Sequence, residues 1–473
     1  MTDAEIVENL VNTRGRPRNR HLFHRGGMKR ILSFDGGGVR GVISVAFLER
    51  IEEIFSAYQR KLLTAYLTEN ERKGVGDAKV GATVSAARKK LNDKFRLADW
   101  FDLVGGTSTG ALIAGALALG INSEQIKAFY TEKAGRIFKP PRWRVPGVQA
   151  KFDAGPLRRE IDAIVGQRTL DSNDLLTGLC VVTKRMDTGS PWILSNNPRA
   201  PYWNSKPAST KNGGYIGNRD YKLASLVRAS TAAPHFFDPE IVQIIGNQVG
   251  TRVSPETHGM FVDGGVTPFN NPSIALLMQV VLKAYKIRWD LGPDKLQFVS
   301  IGTGSYRSKL TFAELGMAKS LKLAVNSLLS MMGDTQNMAL AQMQWLGECP
   351  DPWIINSEIG DLSKETPPGH RWFRFMRYDI RLEQDWIKNK LKTDIPDRFV
   401  ADYRRMDDPA IIEPLYNLAK IAAKEQVKPE HFFPKKARTL HPQKNPVADE
   451  RACSPGSPPY PPRSVLQPPM TGP

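Results

Sequence analysis

The chain has 473 residues, with 66 Lys or Arg against 48 Asp or Glu, so its formal net charge is +18 at pH 7. The 41% hydrophobic and 9% aromatic content is enough for a sizeable core and excludes a wholly disordered chain. The three cysteines are scattered and exclude a disulfide-stapled mini-protein or a cysteine-rich zinc module: Cys180, Cys349 and Cys453.

The N-terminal segment is basic and lacks the pattern of a secretory signal. Acidic residues stand in MTDAEIVENLVNTRGR where a signal peptide requires a basic start and an apolar run. Because no apolar run reaches the roughly 18 residues of a spanning helix, we expect a cytoplasmic protein that meets membranes at most peripherally. We expect residues 1–27 to form a basic arm, either solvated or in contact with an anionic membrane surface. The basic cluster comprises Arg14, Arg16, Arg18, Arg20, Arg25, Lys29 and Arg30.

Short β-type runs alternate with helical stretches through residues 28–310. The pattern predicts one α/β domain with a mostly parallel central sheet and helices on both faces. Residues 59–98 are charged and helix-forming, which predicts an insertion outside the core. The predicted strands are Arg30–Phe34, Phe101–Val104, Leu179–Thr183, Ile241–Ile245, Met260–Val262 and Gln297–Ile301, with helices at Leu223–Ser230 and Ile274–Lys286 among others.

Residues 311–433 predict a mainly helical part that packs on this domain, with one further strand at Trp372–Tyr378 and two closing helices in 397–425. A methionine-rich stretch within it is typical of core filler, or of an adaptable apolar lining for a lipid chain or partner. Its members are Met317, Met331, Met332, Met338 and Met343. The Pro-rich tail, 434–473, is predicted to be disordered.

The first predicted strand ends in a glycine-rich loop, Asp35–Gly41 (DGGGVRG). Glycines let such a loop turn sharply and present backbone N–H groups beside a helix N-terminus, where a phosphate or an oxyanion can bind. A dinucleotide site would need an acid at the end of a second strand about 20 residues on. Glu52 and Glu53 have that separation, but they lie inside a predicted helix, which counts against this alternative.

Two further motifs also follow predicted strands. Gly106–Gly110 (GTSTG) lies between a strand and a helix, the context in which G-x-S-x-G exposes a nucleophilic serine. A Ser/Thr/Gly turn that only caps the helix is the alternative. Asp263–Gly265 (DGG) could supply an acid that orients or deprotonates a hydroxyl, or it could be a turn that caps its own loop. The glycine loop, serine and acid then share the strand ends, where open α/β sheets place their sites.

The three motifs in this order resemble the patatin-like phospholipase family. The resemblance covers about residues 28–305 and includes the weaker segments 153–157 (DAGPL), 229–237 (ASTAAPHFF) and 300–304 (SIGTG). It implies a Ser–Asp dyad in which Ser108 is the nucleophile and Asp263 the general base. In the implied site, backbone N–H groups of Gly36, Gly37 and Gly38 form the oxyanion hole, Arg40 adds positive charge, Gly106 and Gly110 frame the nucleophile elbow, and Gly264 and Gly265 complete the acid motif.

The resemblance further implies a lipid acyl hydrolase of phospholipase A or lysophospholipase type that works through an acyl-enzyme. Its partner would be membrane phospholipid or another acyl-ester lipid, with no metal or other cofactor and no nucleic acid. Two alternatives stay open: an activator-dependent phospholipase effector or toxin that is latent in isolation, and a non-catalytic nucleotide- or polyanion-binding protein. A Ser-His-Asp triad would need a histidine after the acid. The globular part offers only His370, in a predicted loop, while His235 precedes the acid.

Overall fold

The computed structural model describes residues 2–12, 17–73, 78–141, 150–205, 214–246, 253–307 and 320–433. The predicted Pro-rich tail, Arg14, Arg16 and Met317 lie outside these residues. Within them, nine strands join one sheet: β1 Lys29–Phe34, β2 Leu103–Thr107, β3 Gly178–Arg185, β4 Ser190–Ser195, β5 Glu240–Gln243, β6 His258–Asp263, β7 Leu296–Ile301, β8 Gly347–Glu348 and β9 Phe373–Tyr378.

Strand β1 lies at the centre of the sheet, with β2 and then β3 on one side and β7, β9 and β8 on the other. These six strands are parallel, whereas β4, β5 and β6 pair antiparallel at one end. The predicted mostly parallel sheet is therefore confirmed. Strands β4 and β8 were not predicted, because the SPWILS sequence of β4 carries a proline and is partly exposed, and β8 has only two residues.

The carboxyl ends of two strands, β2 and β6, meet along one edge of β3. Strand β4 pairs with β3 along Cys180–Arg185 and so occupies one edge. The other edge is shared, because β2 pairs with β3 only as far as Val182 and the antiparallel β6 begins its pairing at Thr183. The carboxyl end of β2 and the carboxyl end of β6 therefore meet, although the two strands run in opposite directions.

The described helices are α1 Asp3–Val11, α2 Pro17–Phe23, α3 Gly41–Lys73, α4 Ala78–Asn92, α5 Thr109–Ala118, α6 Ser123–Ala128, α7 Ala134–Ile137, α8 Ala154–Val165, α9 Leu223–Ser230, α10 Ser273–Val281, α11 Ser320–Leu346, α12 Gln384–Leu391, α13 Asp397–Tyr403, α14 Ile412–Gln426 and α15 Pro429–Phe432. None of these described helices is long and apolar enough to cross a bilayer.

Helices cover both faces of the sheet. Successive strand residues point to opposite faces, and neighbours on β1 belong to different apolar clusters. Leu32 packs into the cluster that contains the buried side chains of α3, α5 and α14. Ile31 packs into a second cluster, with side chains from α2, α10 and α11.

Three parts of the chain differ from their predicted organisation. The predicted arm contains α1 and α2, which bury Val7, Leu10 and Leu22 because these apolar residues share one side of each helix. The predicted insertion at 59–98 starts inside α3, which runs unbroken to Lys73 and buries further apolar side chains there. Strands β8 and β9 make part of the segment 311–433 an integral edge of the sheet.

Much of the N-terminal positive charge is used internally. The Arg18 guanidinium is 2% exposed and pairs with Asp171. The Lys29 ammonium lies 3.1 Å from Asp102, which also contacts His21 at 3.0 Å. Fewer cations than the sequence indicates are therefore available to an anionic surface among the described residues of this segment.

Candidate active site

Ser108 occupies a sharp turn between β2 and α5. Its backbone has φ 56° and ψ −127°, a conformation that non-glycine residues rarely adopt and that costs about 1–3 kcal/mol. The turn is tight enough that a Cβ on Gly106 would lie 2.1 Å from the carbonyl of Gly110, and one on Gly110 would lie 2.4 Å from the oxygen of Phe34. Glycine at both positions therefore permits the turn that carries the serine.

The Ser108 hydroxyl donates a hydrogen bond to Asp263 Oδ2 at 2.5 Å. Asp263 ends β6, and the meeting of the two carboxyl ends along β3 brings it to the residue that follows β2. Its other oxygen, Oδ1, accepts the backbone N–H of Gly265 at 2.7 Å. Because the Gly265 N–H binds Oδ1, the other carboxylate oxygen, Oδ2, is left to contact the Ser108 hydroxyl.

Asp263 is only 4% exposed, and this burial raises the pKa of its carboxyl to about 7. The hydrogen bonds from Ser108 and Gly265 and the charge of Arg228 oppose the rise without cancelling it. The Arg228 guanidinium is itself buried and donates to the Asp238 carbonyl. A carboxyl with a pKa near neutral pH is a much better proton acceptor than an exposed aspartate.

Ser230, the last residue of α9, fixes the backbone of the nucleophile. Its hydroxyl accepts the Ser108 N–H at 2.8 Å and donates to the Val182 carbonyl at 2.6 Å. The strained turn is thereby tied to the end of β3. Ser230 was not predicted as part of the site, because the end of a helix gives no sequence signal of this contact.

The glycine loop lies directly against the serine. A Cβ on Gly36 would lie 3.1 Å from the Ser108 Cβ. The Gly36 N–H, however, donates to the Asn270 carbonyl at 3.0 Å, so this amide is already engaged. For the amides of Gly37 and Gly38, the hydrogen bonds of the described residues include no acceptor. Two of the three predicted oxyanion donors are therefore free as far as the described part of the chain extends.

The loop holds its shape through contacts with distant segments. The Thr303 hydroxyl donates to the Gly36 carbonyl at 2.7 Å, and the Val39 N–H donates to the Met406 carbonyl at 2.9 Å. Gly38, with φ 60°, lies so close to that carbonyl that a Cβ would approach it to 2.2 Å. The SIGTG segment and the region before α14 thus position the free amides.

Arg40 is buried, with its guanidinium 5.5 Å from the centre of the Tyr306 ring. Burial lowers the pKa of this guanidinium, and its Nε and Nη1 have no hydrogen-bond partner in the described part of the chain. Its predicted contribution of positive charge to the oxyanion stays a prediction.

Asp35, the first residue of the loop, is fully buried and held by Arg377 from β9. Two parallel hydrogen bonds join them, Nη1 to Oδ1 at 3.0 Å and Nη2 to Oδ2 at 2.7 Å. Arg377 also contacts Asp379 Oδ2 at 2.8 Å. Burial raises the pKa of Asp35 to about 6, against the lowering effect of the Arg377 charge. No local sequence pattern predicts this anchor, because Arg377 lies some 340 residues further along the chain than Asp35.

The histidines considered for a triad do not join the site. His235 and His370 are both exposed. Across the described residues, the hydrogen bonds of the Ser108 and Asp263 side chains include no histidine. A group of three or more residues suited to a metal ion is likewise not found in that part of the chain.

Helix α11 borders the site. Met332 lies 3.6 Å from the position of a Cβ on Gly265, and the Gln336 amide lies 3.4 Å from Asp35 Oδ2. Met343 is fully buried, in keeping with core filler, whereas Met331 and Met338 are 57% and 50% exposed. The methionine-rich stretch thus contributes to the core through Met343 and to the exposed side of α11 through Met331 and Met338.

The site combines a serine at an elbow after a strand, an aspartate that accepts its hydroxyl hydrogen bond, and a glycine loop beside both. This combination defines a recognisable class of protein. The family model for patatin-like phospholipases matches residues 32–277, just over half of the chain. The chain therefore belongs to the patatin-like phospholipase family, which confirms the resemblance seen in the three motifs.

Curated relatives match over similar spans. A cGAMP-activated phospholipase of Escherichia coli (strain TW11681) is 26% identical over 279 residues, or 58% of this chain and 62% of the relative. A cGAMP-activated phospholipase of Vibrio cholerae is 28% identical over 262 residues, 53% and 57% of the two chains. Patatin-like protein 1 of Arabidopsis thaliana is 26% identical over 319 residues, 62% and 63%. The match thus spans less than two thirds of each of these relatives.

Proposed function

We propose that this protein is a lipid acyl hydrolase of phospholipase A or lysophospholipase type. The observation that carries the proposal is the 2.5 Å hydrogen bond from the Ser108 hydroxyl to a buried Asp263 at a nucleophile elbow. Membership of the patatin-like phospholipase family and the phospholipase names of the relatives support a lipid ester as the substrate.

In the first half-reaction, Ser108 Oγ attacks the carbonyl carbon of a fatty acyl ester while its proton passes to Asp263 Oδ2. The carbonyl bonding pair moves onto oxygen, and the free amides of Gly37 and Gly38 stabilise the oxyanion. Collapse of this intermediate breaks the bond to the leaving alcohol. The alcohol oxygen takes the proton from Asp263, and an acyl-serine remains.

In the second half-reaction, water replaces the alcohol. Asp263 accepts one proton from water as its oxygen attacks the acyl carbon, and the same two amides stabilise the second oxyanion. The Ser108 oxygen then leaves, recovers the proton from Asp263 and releases the fatty acid. The serine and the carboxylate are both restored.

The substrate lies in membranes, and we assign contact with the bilayer to α11. Met331, Met338 and Trp345 are exposed and spaced seven residues apart, so they line one side of the helix. The same helix borders the acid motif through Met332. An exposed apolar stripe beside a lipase site suits insertion into the headgroup region. The net charge of +18 favours anionic lipid.

A requirement for a nucleotide activator is the second part of the proposal. The two bacterial relatives are named as cGAMP-activated phospholipases, and a third, from Escherichia coli, as a cUMP-AMP-activated phospholipase. We infer that this chain likewise depends on a nucleotide for its activity towards membranes. The assay of hydrolysis therefore needs an arm with cyclic dinucleotide.

The test is fatty-acid release from vesicles of phosphatidylethanolamine and phosphatidylglycerol, with and without 3′,3′-cGAMP. With 3′,3′-cGAMP present, the wild-type chain should release fatty acid and Ser108→Ala should not. A fluorophosphonate probe should label the wild type and leave Ser108→Ala unlabelled. Labelling without release would count against a phospholipid substrate, and neither labelling nor release in any arm would overturn the acyl-hydrolase proposal.

A further inference from the structure

A second concave site lies in the C-terminal part of the described chain, outside the segment that the family model matches. The cavity has a volume of about 410 Å³, within the range of small-molecule sites. The end of β9 lines it, together with α12, the end of α14 and the residues that follow β8. None of its lining residues takes part in the serine–aspartate chemistry.

Flat aromatic rings line part of this cavity. The Trp353 and Trp386 rings are parallel within 12°, with their centres 5.8 Å apart. The Trp353 indole N–H is engaged, because it donates to the Arg377 carbonyl at 2.9 Å. The Trp353 ring is thus held in place, and stacked tryptophans suit a ligand with planar rings of its own.

Charged groups stand beside the rings. The Arg381 guanidinium lies 5.5 Å from the centre of Trp353 and donates to the Ile354 carbonyl. Lys390 also lines the cavity. Neither cation has a carboxylate within 4 Å among the described residues, so both are available to a phosphate.

The cavity also offers acceptors. Glu425 and Asp361 line it and have no salt bridge in the described part of the chain. Carboxylates accept hydrogen bonds from the N–H groups of nucleobases. A fatty acid carries no N–H group that could donate to these acceptors. Rings, cations and carboxylates together match the bases and phosphates of a nucleotide.

The cavity is connected to the catalytic loop by β9. Arg377 lines the cavity and makes the paired hydrogen bonds to Asp35, the residue before Gly36. Gln426 also lines it and donates to the Asp379 carbonyl at 2.8 Å. Asp379 Oδ1 in turn accepts the Gly304 N–H at 2.9 Å, one residue from Thr303. A ligand that shifts the end of β9 therefore acts on the glycine loop through Asp35 and through the SIGTG segment.

We propose that this cavity is a nucleotide-binding site, with bases at Trp353 and Trp386 and phosphate at Arg381 and Lys390. Occupation is transmitted to the glycine loop through Arg377. The link to turnover rests on the proposed lipid hydrolysis, whereas binding does not depend on it. Mononucleotides and cyclic dinucleotides share the required chemistry, and the experiment separates the two sources.

Binding is measured by calorimetry on the full chain with 3′,3′-cGAMP, AMP, GMP and oleate as separate probes. We expect a nucleotide to bind, and Trp386→Ala and Arg381→Ala each to weaken it about tenfold. Trp386→Phe keeps a ring and should stay within about threefold of the wild type. Arg398→Ala, an exposed arginine on α13, is the matched control and should leave binding unchanged. Thermal unfolding of each variant confirms that the fold is retained.

The outcomes test nucleotide binding at the cavity separately from lipid hydrolysis at Ser108. Nucleotide binding that both cavity variants weaken supports the site. No nucleotide binding at millimolar concentration, binding that neither variant changes, or oleate binding that both variants weaken overturns it. Nucleotide-stimulated fatty-acid release that Arg381→Ala lowers supports the coupling, and binding without any change in release overturns the coupling alone. Binding to a chain that hydrolyses no lipid in any arm supports the site and counts against the proposed function.

Discussion

The catalytic edge of the sheet and the C-terminal cavity are built in opposite ways. The catalytic edge uses three short motifs, each a few residues long and each at the end of one strand. The cavity uses single side chains from several elements across residues 351–431, with no recurrent spacing. Arg377 is the one side chain described above that joins the two regions directly, through Asp35. Chemistry that depends on backbone turns leaves a motif in the sequence, whereas chemistry that depends on side chains brought together by packing does not.

The largest effect should come from the catalytic edge. We expect Asp263→Asn to lower turnover on the order of 10³-fold or more, because the amide keeps the shape but cannot take the Ser108 proton. Initial rates of fatty-acid release from vesicles measure it. Asp187→Asn, in the exposed turn after β3, is the matched control and should retain wild-type rates. Near wild-type turnover of Asp263→Asn would remove this residue from the role of base.

The ion pair of Arg377 with Asp35, which connects the two regions, should contribute strongly to the free energy of unfolding. Arg377→Met leaves Asp35 and Asp379 buried without their shared cation, and removal of one partner from a buried ion pair costs about 3–5 kcal/mol. Urea unfolding followed by circular dichroism measures the loss in the free energy of unfolding.

A triple variant serves as the control for this loss. Asp35→Asn, Arg377→Met and Asp379→Asn together remove all three charges, so much of the stability should return. If the single variant unfolds at the wild-type urea concentration, Arg377 does not anchor the glycine loop.

The pH dependence of turnover tests the burial of Asp263. Its pKa is raised to about 7, and only the carboxylate accepts a proton, so kcat/KM should rise about tenfold per pH unit below 7 and level off above it. The effect on stability has the opposite sign. A raised pKa in the folded state stabilises the fold fully below the unfolded pKa of about 3.8, and this contribution is lost as the pH rises through 7.

Two measurements separate these effects. Initial rates between pH 5 and pH 9 give the profile of turnover, and a kcat/KM that stays constant down to pH 5 would show that burial does not raise the pKa of Asp263. Urea unfolding of Asp263→Asn at pH 5 and pH 8 gives the second. The variant should gain stability relative to the wild type at the higher pH, because the buried charge is absent.

The sequence predicted the parallel strands because their apolar runs precede glycine turns, as at Arg30–Phe34 and Phe101–Val104. It did not predict that β6 is antiparallel, since a buried strand reads alike in both directions. The acid was expected at a shared edge of parallel strands. It reaches the serine because β3 extends beyond β2 and lets β6 meet it from the other side.

The residues that support the site were beyond sequence reasoning for a physical reason. Ser230, Asn270 and Arg377 each act through hydrogen bonds to segments far away in the chain. Such a contact depends on how helices and strands pack, and no local pattern encodes it. The arm was predicted to be solvated or in contact with an anionic membrane surface because charge was counted without its partners, whereas Arg18 and the nearby Lys29 pair with carboxylates from later segments.

A smaller effect should come from the support of the elbow. Ser230→Ala removes the acceptor of the Ser108 N–H, and an unpaired buried N–H costs about 1–3 kcal/mol. Because this hydrogen bond holds the attacking oxygen in place, kcat should fall about tenfold while KM changes little. Ser225→Ala on the same helix is the control and should leave both constants unchanged. A rise in KM with constant kcat would show that Ser230 acts on substrate binding instead.

The smallest effect should come from the surface of α11. Met338→Ser removes a half-exposed apolar side chain whose insertion into lipid contributes about 0.7 kcal/mol, half of the lower value for burying a methionine, so vesicle binding should weaken about threefold. Sedimentation with phosphatidylglycerol vesicles measures it. Ile421→Ser on α14 is 43% exposed in the wild type and serves as the control. Equal losses for both variants would mean that the bilayer does not contact α11 selectively. A loss for Met338→Ser alone, with unchanged labelling of Ser108 by fluorophosphonate, would separate the membrane surface from the catalytic edge.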